Sequence, residues 1–272
     1  TNLLTAWPKD GPRVAWSKPV GAGYSGPAVM NGLVIVFHRL EDREIVEQWN
    51  LTNGAPVWKF AYPTAYTDDY GMGIGHRATP TVHNGRIYTF GAEGVLHCLD
   101  FADGKKRWSV DTRKDFETSK GFFGPVCSPL IEGHAVLLNI GGANGAGIVA
   151  FDQDDGHLLW KTSNDEASYS SPVAASMAGQ RRAVFFTRSG LAVVNPADGH
   201  IQFTHPWRAQ TRTSVNAATP LVIGDEIFLS SSYDTGAILL KINGPKLDKI
   251  WSGDGIPSNP FITNLHQLGI LH

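Results

Sequence analysis

The sequence predicts an all-β fold, a β-propeller of four-stranded antiparallel blades with five full blades and part of a sixth. Three observations predict it. A turn motif recurs four times, a small-residue–proline pair recurs six times in step with it, and the composition suits short strands joined by turns. The 272 residues include 30 Gly and 16 Pro but only 18% charged residues. Many short strands separated by Gly- and Pro-rich connections are the mark of an all-β sandwich, barrel or propeller.

The turn motif is clearest in Leu96-His97-Cys98-Leu99-Asp100-Phe101-Ala102-Asp103-Gly104-Lys105-Lys106-Arg107-Trp108. Gln48 to Trp58, Ala150 to Trp160 and Val193 to Phe203 repeat it. Each copy has Asp or Asn four residues before a glycine, a second Asp or Asn just before it, and an aromatic four residues after. The glycines are 54, 104, 156 and 199, in steps of 50, 52 and 43 residues. A period near ~45 residues with several strands per unit signals a propeller array. The Asn-Gly and Asp-Gly pairs predict tight hairpin turns with both residues at φ > 0. The first Asp or Asn is placed to accept hydrogen bonds from the turn backbone, and the aromatic to fill the gap between neighbouring units.

The proline pairs are Gly26-Pro27, Thr79-Pro80, Ser128-Pro129, Ser171-Pro172, Thr219-Pro220 and Asn259-Pro260. Proline lacks an N–H and is tolerated at the first residue of a strand, so each pair marks a strand start. Turns follow at Asn31-Gly32, Asn84-Gly85, Glu132-Gly133, Ala178-Gly179 and Gly224-Asp225, then apolar strands such as Arg86–Phe90, Val136–Ile140 and Ile227–Ser231. The expected organisation is one domain over 1–272. It comprises an extended arm (1–13), a ring-closing strand (14–20), blades at about 24–60, 76–110, 124–162, 168–205 and 214–252, and a partial blade (257–272). In the fifth blade Trp251 follows Gly244 by seven residues, which predicts a longer turn caused by Pro245. The start without Met reads as processed or trimmed, and the unfinished sixth copy as a truncated chain. The alternative is a six-bladed ring completed by Val14–Lys18. An unfinished blade leaves an open sheet edge, a site of possible self-association.

A net charge of −2 recommends neither a nucleic-acid nor a membrane-surface partner. No run approaches the ~18 apolar residues of a membrane helix. Cys98 and Cys127 lie in different blades. Buried free thiols are the preferred reading and a disulfide the open alternative.

The Ala150–Trp160 type of repeat resembles that of the pyrroloquinoline-quinone-like (PQQ-like) propeller superfamily, which includes quinoprotein alcohol dehydrogenases and outer-membrane assembly lipoprotein propellers. The stretches Gly75–Pro80, Ser168–Pro172 and Ser214–Pro220 are similar to those of bacterial PQQ-like repeat proteins, and the resemblance spans nearly the whole chain. It implies a periplasmic or secreted protein. It also implies that ligands meet the loops leading into the innermost strands, here 61–76, 109–124, 161–168, 204–214 and 252–257. Such loops on a rigid scaffold carry function disproportionately.

These loops supply the candidate channel-mouth residues. His76 and Arg77 with Arg212 are suited to an anionic ligand, since Arg offers a planar fork to carboxylates. Asp69 or Glu166 is suited to act as base or metal ligand. Tyr24, Phe123 and Tyr169 are suited to stack on a flat ligand. Asn216 and Asn259 add polar groups. The competing reading of each is a residue that satisfies loop backbone and lines a water-filled channel. Glycines 71, 73 and 75 have no following helix and make no nucleotide fingerprint.

No catalytic or metal motif stands out: there is no H-E-x-x-H and no paired C-x-x-C. Quinoprotein dehydrogenases carry a disulfide between adjacent cysteines against the quinone, and this sequence has no adjacent pair. The first reading is therefore a non-catalytic propeller binding a small molecule, glycan or protein at the channel mouth, with no cofactor. The second is a PQQ- and calcium-dependent alcohol or sugar dehydrogenase, and the third an outer-membrane assembly partner.

Overall fold

The computed structural model describes residues 7–211 and 214–253. Twenty strands form five separate four-stranded antiparallel sheets, each built from four consecutive strands in sequence order. Blade 1 holds β1 (Ala28–Met30), β2 (Leu33–Leu40), β3 (Arg43–Asn50) and β4 (Pro56–Pro63). Blade 2 holds β5 (Thr81–His83), β6 (Arg86–Phe90), β7 (Val95–Asp100) and β8 (Lys106–Asp111). Blade 3 holds β9 (Leu130–Glu132), β10 (Ala135–Asn139), β11 (Ile148–Asp152) and β12 (Leu158–Thr162). Blade 4 holds β13 (Val173–Met177), β14 (Gln180–Phe186), β15 (Gly190–Val194) and β16 (Ile201–Pro206). Blade 5 holds β17 (Leu221–Ile223), β18 (Glu226–Ser231), β19 (Gly236–Asn243) and β20 (Lys246–Ser252). One short helix, α1 (Thr112–Phe116), interrupts the loop after β8. The expected partial sixth blade lies outside the described residues.

The core lies between blades. Tyr88, Phe90, Leu96 and Trp108 of blade 2 pack on Val136, Leu138 and Phe151 of blade 3. Equivalent layers join blades 1 and 2, 3 and 4, and 4 and 5. Middle strands are therefore covered on both faces, which explains why β10 and β15 are buried along their whole length.

The turns differ from the sequence expectation. Both residues take φ > 0 at Asn31-Gly32, Asn84-Gly85 and Ala178-Gly179, the hairpins between first and second strands. In the repeated Asp/Asn-Gly motif only the glycine does. The reason is loop length: β3 ends at Asn50 and β4 begins at Pro56, so the connection is not a two-residue turn. The Asn50 side chain accepts hydrogen bonds from the amides of Thr52 (2.9 Å) and Asn53 (3.3 Å), as expected of the first motif residue. Asp100, Asp152 and Asn195 accept in the same way.

The fifth-blade turn is tight rather than long. Asn243 pairs with Lys246 across Gly244-Pro245. The seven-residue spacing arises because the β19–β20 ladder continues past the bulge. In all five blades the motif aromatic pairs with the residue just before that bulge: Gln48↔Trp58, Cys98↔Trp108, Ala150↔Trp160, Val193↔Phe203 and Leu239↔Trp251. The bulge, not the turn, sets the position of the aromatic.

Residues 14–20 carry no strand. Trp16 nevertheless packs on Gly54 and donates its indole N–H to the Leu51 carbonyl at 2.7 Å. Trp58, Trp108 and Trp160 make the equivalent bond to the carbonyls of Phe101, Gln153 and Pro196, each 3.1 Å away in the following blade. Cys98 and Cys127 are buried free thiols.

Candidate functional site

The long connections between blades gather at one end of the strands, and the repeated Asp/Asn-Gly turns lie at the other. Their placement follows from the antiparallel order. At the loop end, the β4–β5 connection is held by two polar anchors. Arg39 of β2 is buried, and its guanidinium donates to the carbonyls of Tyr66 (2.7 Å) and Ile74 (3.1 Å). Asp68 accepts hydrogen bonds from the amides of Tyr70 and Gly73, and such backbone donors, Tyr70 first, hold its carboxyl below the usual range.

Tyr24, Arg77, Phe123 and Tyr169 come together. The Arg77 guanidinium lies 4.8 Å from the Tyr24 ring centre and 4.9 Å from that of Phe123. It also donates to the Phe123 carbonyl at 3.1 Å. The Tyr169 hydroxyl accepts hydrogen bonds from two successive amides, Phe122 (2.9 Å) and Phe123 (3.0 Å). Its ring packs on Phe123 with centres 5.4 Å apart. Burial pushes the Tyr169 phenol above its ordinary pKa, so it is the protonated form that takes these bonds.

The remaining candidates occupy other surroundings. Asp69 is exposed and bonded to Lys120 at 2.7 Å. Glu166 is exposed at the rim, 3.8 Å from the Arg188 guanidinium. His76 is fully buried, stacked on Phe37 with centres 3.4 Å apart and bonded to Ser25 at 3.0 Å. Burial pushes its pKa down to about 3, so it is a neutral packing residue rather than a cationic anion ligand. Asn216 is buried and clamps blades together. Its side chain donates to the Thr187 carbonyl at 2.7 Å and accepts from Ser231 at 3.2 Å. Arg212 and Asn259 lie outside the described residues.

Sequence reasoning passed over Arg39, Tyr66, Lys120 and Arg188. Arg39 has a legible signal, a charged residue within the apolar run of β2. The other three have none, because loop residues from distant blades meet only in the fold. A cavity of about 50 Å³ sits between Lys120 and Arg188, lined also by Phe122, Glu166 and Tyr169. A wider groove of about 630 Å³ between blades 4 and 5 is lined by Trp207, Arg208 and Tyr233. At the opposite end Asp152, Asp155 and His157 cluster, but the two carboxylates cap amides of their own turn.

Repeated four-stranded blades with inter-blade cores and a loop-bearing end define a β-propeller. The family described as outer membrane protein assembly factor BamB (PQQ-type repeats) matches residues 42–258, and the chain belongs to that family. No curated protein matches it by sequence. Among solved structures it is similar to BamB from Moraxella catarrhalis, with a TM-score of 0.58 and 16% identity, over 86% of this chain and 63% of that one. It is also similar to quinohemoprotein alcohol dehydrogenase from Comamonas testosteroni, with a TM-score of 0.61 and 13% identity, over 86% of this chain and 43% of that one. These likenesses establish the fold. The chain spans less than two thirds of the length of either protein. Among the described residues no helix is long and apolar enough to cross a membrane.

Proposed function

We propose that this chain is a non-catalytic binding propeller of an exported bacterial protein, and that its loop end docks a partner protein. One observation carries the reading. Tyr24 (62% exposed), Tyr70 (54%), Met72 (58%) and Ile74 (41%) stand exposed together on segments tied down by Arg39, by Asp68 and by the Tyr24 hydroxyl bond to the Met72 carbonyl. An exposed apolar set that is held in place, and rimmed by Arg77 and Lys120, has the character of a protein-binding surface. Membership in the BamB family supports a role in outer-membrane protein assembly and a periplasmic location as the specific form of this reading.

The quinone-dehydrogenase reading is weaker. Its support is structural likeness at 13% identity, which speaks to fold alone. The described loop-end residues do not fit a quinone with calcium. Asp165 is engaged by Thr187 and Ser189, Asp68 by its own loop amides, and Asp69 by Lys120. Both cysteines are single and buried.

The test is a photo-crosslinking amino acid at Tyr70 or Met72 of the loop end, and at Asp154 of the turn end, in the native host. Protein adducts from 70 and 72 but not from 154 are expected. Equal labelling at both ends overturns the docking surface. Saturable binding of pyrroloquinoline quinone with calcium and dye-linked alcohol oxidation overturns the non-catalytic reading.

A further inference from the structure

Cationic groups converge on the small loop-end cavity. Lys120 reaches in from the second loop and Arg188 from the turn between β14 and β15, and both line it. The Arg188 side chain is 11% exposed. Burial first, and then the neighbouring Arg208 charge, push its pKa down against the opposing pull of Glu166 and Asp165. Arg77 and Tyr169 both pack on the Phe123 ring, with separations of 4.9 and 5.4 Å from its centre.

Acidic groups at the cavity are rim groups. Glu166 is 3.8 Å from Arg188 with its side chain 81% exposed, and Asp69, on Lys120, is 60% exposed. Asp165 is engaged by Thr187 and Ser189. Both carboxylates face solvent, so an entering anion can displace them and leave them hydrated.

Tyr169 already accepts two amide hydrogen bonds, and its own proton meets no acceptor among the described residues. Tyr66 is buried beneath Lys120, outside the cavity lining, with its hydroxyl turned to the Arg77 side chain. The Tyr169 proton, turned into the cavity, marks a place for an accepting ligand atom or water.

The cavity is continuous with the exposed apolar surface. Phe122 lines it, and the Tyr70 ring meets Phe122 edge-on at 5.6 Å. We propose that the cavity receives the carboxylate of an Asp or Glu side chain from the docked partner, and that Tyr70 and Met72 pack on the apolar residue following it. The occupant is thus an acidic–apolar peptide segment. Its oxygens accept from Lys120, Arg188 and the Tyr169 hydroxyl. This inference rests on the loop end being the docking surface.

The probes are acetyl-Glu-Phe-amide and acetyl-Gln-Phe-amide, titrated into the isotope-labelled full chain and followed by amide NMR shifts. The expected result is saturable perturbation around 119–124, 166–169 and 188, with the Gln probe at least tenfold weaker. Binding of the Glu probe should weaken severalfold with added salt. Lys120→Gln should cost about tenfold and Lys120→Arg should retain binding. Lys120 is partly exposed and lies outside every strand, so this pair keeps the test clear of misfolding, whereas Arg188→Gln requires a melting control. Equal affinity for the two probes, perturbation elsewhere, or no saturable perturbation up to the solubility limit overturns the proposal. Partner crosslinks at 70 and 72 that persist in Lys120→Gln, together with equal probe affinities, sink the carboxylate site and leave the docking surface standing. Absence of crosslinks at 70 and 72 in the otherwise unaltered chain, with intact Glu selectivity, does the reverse.

Discussion

The ring of Trp58 in blade 1 lies against the backbone of Gly104 in blade 2, so closely that a Cβ on Gly104 would fall 2.4 Å from the ring. Trp108 stands in the same way over Gly156, Trp160 over Gly199 and Trp16 over Gly54. The motif glycine thus serves two needs, a left-handed backbone (φ 71° at Gly104) and a seat for the neighbouring blade's indole.

Gly104→Ala should therefore cost more than Gly85→Ala. Gly85 has the same φ of 71° but open space where its Cβ would go. Its replacement should cost about 1 kcal/mol, the backbone penalty alone. Gly104→Ala adds overpacking against Trp58, for a total of about 2–4 kcal/mol. Urea unfolding of the two variants measures the difference, and equal losses would mean that Trp58 yields freely.

The acid limb of stability should depend on His97. It is buried beside Phe60 and Tyr62, and burial pushes its pKa down to about 4. The unfolded chain then takes the proton first, near pH 6.5. Stability from this group is full above that value and is lost as pH falls toward 4, at up to about 1.4 kcal/mol per pH unit. His76, at about 3, acts in the same direction. His97→Phe should reduce the slope of unfolding free energy between pH 6 and pH 4.5 by about one proton equivalent. An unchanged slope would mean that His97 is protonated in the folded state.

Asn216→Ala should destabilise by about 2–4 kcal/mol without touching ligand binding. It strands the buried Thr187 carbonyl and the Ser231 hydroxyl. Thermal melting together with probe titration separates the two effects. A stable variant that loses binding would make Asn216 a ligand residue.

Arg39→Met should loosen the loop end more than it lowers global stability. Its guanidinium fastens the carbonyls of Tyr66 and Ile74. Hydrogen exchange should accelerate in 66–77 and leave β6 and β7 protected. Uniform acceleration would make Arg39 part of the common core.

The sequence was most legible where the same local problem is solved repeatedly. Asp100, Gly104 and Trp108 recur because every blade needs the same turn, bulge and inter-blade contact. Even there the pattern leaves the turn geometry open, since an Asp-Gly pair does not reveal whether a ladder closes before it or several residues earlier. In the fifth blade the ladder runs on to Asn243↔Lys246, and spacing alone suggested the opposite.

The loop end was legible only as a set of segments. In the sequence Arg77 and Phe123 are unrelated candidates on separate loops, and the fold places the one guanidinium against the other's ring. His76 and Arg77 are neighbours in sequence, yet one is sealed under Phe37 and the other reaches the mouth. Residue type does not tell a buried imidazole from a working one, because burial depends on what another strand brings over it.

By itself the sequence determined the architecture. A periodic pattern of strand starts, turns and inter-blade aromatics leaves a chain one way to bury its apolar faces, blade against blade. Only the tertiary structure decided which loop residues meet. Lys120, Tyr169 and Arg188 belong to three different connections. Their convergence depends on the relative placement of rigid blades, which no local pattern encodes.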